Sequence, residues 1–125
     1  MSLPDDHGAH EQDFRPLSDL EGQLLAVLLG TDFSGRDALA EQVAAVSVRE
    51  IDHNGSLEFA PADGTPAEVA RRVPVEAELD DNDGVTIHVL LHVVDGLLKE
   101  LEVYRDDSGR IQRVLDPGDL RLMVL

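Results

Sequence analysis

Between Val85 and Val93 the chain alternates strictly. Val85, Ile87, Val89, Leu91 and Val93 form one apolar set, with Thr86, His88, Leu90 and His92 between them. That period of two, rich in β-branched residues, predicts a strand with one dry face and one mixed face. Leu97, Leu101 and Val103 continue the dry set on a second strand, with Lys99 out of phase and Glu100, Glu102 and Tyr104 on the wetter side. The turn between the strands sets the register. A loop of Asp95-Gly96 alone would pair Val89 with Glu102 and Leu91 with Glu100, burying carboxylates beside aliphatic side chains, which is costly. A loop of Val94-Asp95-Gly96 pairs Val93 with Leu97, Val89 with Leu101 and Ile87 with Val103, with Gly96 at positive φ. Because a slip of one residue turns a whole face over, the second register is the expected one.

The rest of the pattern is arranged around this hairpin. Ser18-Asp19-Leu20-Glu21 is a capping-box sequence ahead of an apolar stripe of Leu20, Leu24, Val27 and Leu28, with Gly30 as a stop. Ser34, followed by Asp37, is the expected cap of a second helix carrying Leu39 and Val43. Val46 to Asp52 and Leu57 to Ala60 predict strands flanking Asn54-Gly55, a strong hairpin signal. Pro61 to Pro66 reads as a loop. Arg72 to Leu79 predicts a third strand with Val73, Val75, Ala77 and Leu79 dry. Pro74, which has no amide proton to donate, marks it as an edge, or else as a strand whose proline nitrogen faces outward. Leu120 to Leu125 closes the chain as a last strand. Strands that follow a helical start with short turns between them predict an α+β fold. Its two N-terminal helices are expected to pack on one face of an antiparallel, mostly meandering sheet. Residues 1–14 are polar and acidic without periodicity and read as a disordered tail whose first residues are expression-derived. Residues 15–125 read as a single domain.

Composition narrows the function. The net charge is −16, and the chain has no cysteine. A surface this acidic repels nucleic-acid phosphates and anionic lipid and favours a basic protein partner. Four aromatic residues, Phe14, Phe33, Phe59 and Tyr104, are too few for a base-stacking surface. The absence of cysteine excludes disulfides and thiolate metal sites and suits the cytoplasm. The N-terminus has neither the basic start nor the apolar stretch of a secretory signal, and no apolar run is long enough to span a bilayer.

Several stretches are similar to a small domain family of unknown function found in actinobacterial genomes. They are Arg15-Pro16-Leu17, Phe33-Ser34-Gly35-Arg36, Val73 to Glu78, His88 to Gly96 and Glu100 to Asp107. The resemblance covers nearly all of the chain outside the tail. It implies an intact domain and carries over no catalytic residue, substrate or cofactor.

Candidate chemistry is sparse. If Leu79 pairs with Val85, then Glu76, His88 and Glu102 form a row across three strands of the mixed face. A histidine between two carboxylates is a candidate metal ligand set or general base. A solvated ladder of opposite charges is the simpler reading, and it is the one expected here. His92, roughly 13 Å along the strand from His88, is placed outside that set. His7, His10 and Glu11 in the tail are a weak metal pattern. Asp80-Asp81-Asn82-Asp83-Gly84 has a calcium-loop flavour, but Leu79 and Leu90 stand where that motif needs carboxylates, so an acidic turn is expected. No nucleophile elbow, phosphate loop, zinc-protease helix or dinucleotide fingerprint is present. The balance is therefore against an enzyme, and no cofactor is expected. The expected function is protein binding or regulation. Pro74, Leu90, His92, Leu98 and Tyr104 are the candidate contact residues; the alternatives are a metal-dependent or acid/base enzyme using the Glu76–His88–Glu102 row and a homodimer through the same mixed face.

Overall fold

In the computed structural model, which describes residues 14–60 and 64–125, the chain forms two α-helices and an open antiparallel sheet of seven strands. The elements are β1 (Arg15–Pro16), α1 (Asp19–Leu28), α2 (Arg36–Val43), β2 (Ser47–Glu50), β3 (Leu57–Phe59), β4 (Val75–Asp80), β5 (Thr86–Val94), β6 (Leu97–Arg105) and β7 (Arg121–Val124), with a short 3₁₀ turn at Pro117–Asp119. The strand order is β1-β2-β3-β6-β5-β4-β7. The expected tail and its His7, His10 and Glu11 lie outside the described residues, as does the start of the Pro61 to Pro66 loop. Phe14, which the tail was expected to include, has the Arg49 guanidinium 4.7 Å over its ring.

The helix starts differ in how they are capped. Ser18 and Glu21 make the complete capping box at α1, and Glu21 also receives both terminal nitrogens of Arg15 at 2.7 and 2.9 Å. The expected Ser34 cap is displaced by one residue. Gly35 caps α2 at φ 88° with no side-chain bond. A Cβ there would lie 2.9 Å from Val69 Cγ1, so close approach as well as backbone angle calls for glycine.

Burial in β4 and β5 alternates residue by residue, with Val75, Ala77, Leu79, Ile87, Val89 and Leu91 fully buried. They share one apolar cluster with Leu24, Leu25 and Leu28 of α1 and Leu39 of α2. The expected faces therefore hold, but the expected register does not. Val89 pairs with Val103, Leu91 with Leu101 and Ile87 with Arg105. The turn is Asp95-Gly96 alone, with φ 54° and 78°, the pair of positive angles that a tight hairpin turn needs. Lys99 then bulges: Val93 pairs with Leu98 while His92 pairs with Glu100. That extra residue reverses the parity of β6, so Leu98 and Leu101 both face the core and no carboxylate is buried by the short turn.

The β4–β5 register also differs by two residues, with Leu79 opposite Ile87 and Glu78 opposite His88. Nor is β4 an edge, because β5 and β7 flank it. The strand starts after buried Pro74, whose carbonyl accepts from the Leu125 amide at 3.0 Å. Position one of the strand tolerates a preceding proline without loss of a ladder bond.

Two buried polar side chains complete the frame. Gln42 accepts from the Leu98 amide at 2.9 Å and donates to the Gly96 and Thr65 carbonyls at 2.9 and 3.1 Å, bracing the turn and bulge. The Ser56 hydroxyl accepts from Val103 N at 2.8 Å and donates to Val103 O at 3.1 Å, extending the β3–β6 pairing.

Candidate functional site

The half-buried side chains of β4, β5 and β6 form the open face of the sheet. Alternation puts Glu76, Glu78, His88, Leu90, His92, Glu100 and Glu102 there, with exposed Tyr104. The real register sorts them into rows. Glu78, His88 and Tyr104 are successive neighbours; so are Glu76, Leu90 and Glu102; so are His92, Glu100 and Glu58. The expected Glu76–His88–Glu102 row is thus divided. His88 sits beside Glu78 and Tyr104, whereas Glu102 turns to His92.

His88 stacks on Tyr104, with ring centres 4.8 Å apart and planes 18° from parallel. Its Nε2 lies 3.0 Å from Asp106 Oδ1, and its Nδ1 lies 3.8 Å from Glu78 Oε2. Burial pushes the Tyr104 phenol up, and the charges of Glu102, Glu76, Asp106 and Glu78 push it the same way. Four carboxylates therefore bear on one exposed aromatic ring.

The second histidine has a different setting. His92 Nε2 lies 2.8 Å from Glu102 Oε1, and Arg72 Nε donates to His92 Nδ1 at 3.3 Å. A guanidinium can only donate, so Nδ1 is the accepting nitrogen and Nε2 carries the proton toward Glu102. His92, Glu100 and Glu102 each offer one ligand-type atom, and those atoms all lie within 4.8 Å of one another. Of the other candidate contact residues, Pro74 and Leu98 are buried. Proline closes onto the core before β4, and the bulge turns Leu98 inward. Neither contributes to the open face, while Leu90 remains on it.

At one end of the sheet lies a cluster absent from the sequence reading. Arg105 is 4% exposed. Its Nη1 donates to Asp81 at 2.8 Å, its Nη2 to Asp83 at 2.9 Å and Asp107 at 2.8 Å, and its Nε to Asp107 at 3.0 Å. Asp81 also accepts the amides of Asn82 and Gln112. Burial pushes the Asp81 carboxyl up, but those amides and Arg105 outweigh it and leave it below the usual carboxylate range. Asp83 is lowered, and Asp107 is pushed down to about 2, both chiefly by hydrogen bonds from Arg105. The acidic turn that suggests calcium thus carries an internal cation. A signal for it exists: Arg105 continues the dry parity of Leu101 and Val103 and so demands a buried partner.

No curated protein and no solved structure matches the chain. No helix among the described residues is long and apolar enough to cross a membrane. One family model matches, over residues 14–115. That span takes in both helices, β1 to β6, the open face and the Arg105 cluster. The chain belongs to the family described as a domain of unknown function (DUF6984).

Proposed function

We propose that the open face of β4, β5 and β6 is a non-enzymatic binding surface for a basic segment of a protein partner, met in the cytoplasm. In this reading both helices cover the opposite face, which the shared apolar cluster supports. The observation that carries the proposal is Tyr104, an exposed ring stacked on His88 and overlooked by Glu76, Glu78, Glu102 and Asp106. An arginine laid on that ring would gain a cation–π contact and find carboxylates within reach of its fork. Leu90, beside it, offers an apolar floor. The test is amide-shift mapping by NMR with a synthetic arginine-rich peptide. Saturable binding centred on Tyr104 and His88, lost in a Glu76→Gln/Glu78→Gln/Glu102→Gln variant, is the expected result. Shifts spread over every acidic patch, or binding unchanged in Tyr104→Ala, would overturn it.

A homodimer is a second reading, and β7 favours it. Among the described residues this strand has a neighbour, β4, on one side only, and Met123 and Val124 are exposed on it, followed by exposed Leu125. An apolar edge of this kind pairs readily with its own copy. Sedimentation velocity of the wild type and Val124→Lys would show a dimer that dissociates in the variant; a monomer at high concentration removes this reading.

A further inference from the structure

We infer that His92, Glu100 and Glu102 form a site for one divalent metal ion of the zinc class. The inference does not depend on the basic-partner reading. His92 and Glu100 are paired across β5 and β6, and Glu102 is the next residue of β6 on the same face. Their donor atoms already lie within 4.8 Å of one another. Ligand atoms around one zinc ion stand roughly 3.4 Å apart, given bonds of about 2.1 Å, so closure takes a side-chain adjustment and no backbone movement. The two carboxylates balance the ion's charge, and the imidazole selects zinc, manganese or iron over magnesium and calcium. The face is half open to water, which supplies the remaining ligands.

A second observation concerns Glu100 within this trio. Among the described residues, the half-buried Glu100 carboxylate has no hydrogen bond and no ion pair, whereas Glu102 holds His92 and Glu58 holds Arg49. Glu58 is also directly opposite Glu100 in the sheet, a like-charge neighbour. A cation between Glu100, Glu102 and His92 relieves that repulsion. Loading shifts the His92 proton from Nε2 to Nδ1, so Nε2 is free for the metal and Nδ1 no longer accepts from Arg72. The Arg72 guanidinium, always charged, is thus the native competitor for the site. Its side chain is exposed and can swing away.

The experiment is calorimetric titration of the full chain with zinc chloride, with NMR of the imidazole nitrogens as a second readout. His7→Gln/His10→Gln is the background, because the N-terminal histidines offer zinc another foothold. Binding of one ion at micromolar affinity is expected, with the His92 resonances moving and those of His88 unmoved. His92→Gln and Glu100→Gln should each weaken it at least tenfold while the thermal midpoint of the metal-free protein holds. Arg72→Ala should tighten it severalfold. Absence of saturable binding in this background, or equal affinity in His92→Gln, overturns the site.

Discussion

Arg105 Nη1 lies 2.8 Å from Asp81 Oδ2, and both side chains are withdrawn from water. This contact joins the end of β6 to the β4–β5 turn, and Asp81 passes the connection to the Gln112 amide. Replacing Arg105 with methionine leaves Asp81 buried without its cation. An uncompensated buried charge costs more than an exposed pair is worth. Arg105→Met should therefore lower the urea midpoint by clearly more than Arg121→Met, which removes an exposed pair with Asp80. Asp81→Asn placed in the Arg105→Met background should recover part of the loss.

Acid should act through the same cluster. The Asp107 carboxyl is held at about 2 in the fold, against an unfolded value of about 4. A depressed folded value means that the stabilisation is complete above about pH 4 and is lost as pH falls toward 2. Asp83 and Asp81 titrate in the same direction. Urea unfolding from pH 5 to 2 should show stability falling across that window. Asp107→Asn should flatten the slope. An equal slope in the variant would assign the acid sensitivity elsewhere.

Gly96 should be less replaceable than Gly55, although both have positive φ. A Cβ on Gly55 meets open space, so alanine there costs only backbone strain, about 1 kcal/mol. A Cβ on Gly96 would fall 2.7 Å from Pro66 Cβ and 2.8 Å from the Ala67 backbone. Crowding adds about 1–3 kcal/mol. Chemical unfolding of the two alanine variants should rank them in that order.

Gln42 is the only side chain that serves the Leu98 amide at the bulge among the described residues. Gln42→Leu keeps the volume but strands that buried donor and the Thr65 carbonyl. The expected cost is about 2 kcal/mol or more. Amide exchange at Leu98 should accelerate in the variant ahead of exchange at Val89 or Leu91. Uniform acceleration would show that the brace is not local.

The sequence reveals which residues face inward but not which ones meet. Ile87, Val89, Leu91, Leu101 and Val103 are all buried as their alternation predicts. Yet both hairpin registers differ from expectation by two residues away from the bulge, a slip that leaves the faces of those residues unchanged. Burial patterns cannot detect such a slip, whereas a site on a sheet is made by cross-strand neighbours. That is why alternation alone places Glu102 beside His88 while its carboxylate reaches His92. In unbroken alternation the short turn would bury Glu100 and Glu102. The compensating bulge is written only in Leu98 and Leu101, apolar at odd spacing with Lys99 between them. Arg15–Pro16 forms a strand too short to show periodicity, and the β3–β6 pairing joins segments far apart in the chain.

Lys99 has no partner across the hairpin, since Leu98 and Glu100 already take Val93 and His92. β6 therefore carries one residue beyond what its ladder needs. Excising Lys99 would join Leu98 to Glu100 in unbroken alternation, with each side chain still on its present face. Deleting Glu100 instead would leave the same alternation with Lys99 in its place, whereas at the other interior positions of β6 a deletion would turn part of the core toward solvent. The strand can change length between Leu98 and Leu101 without turning over its buried face.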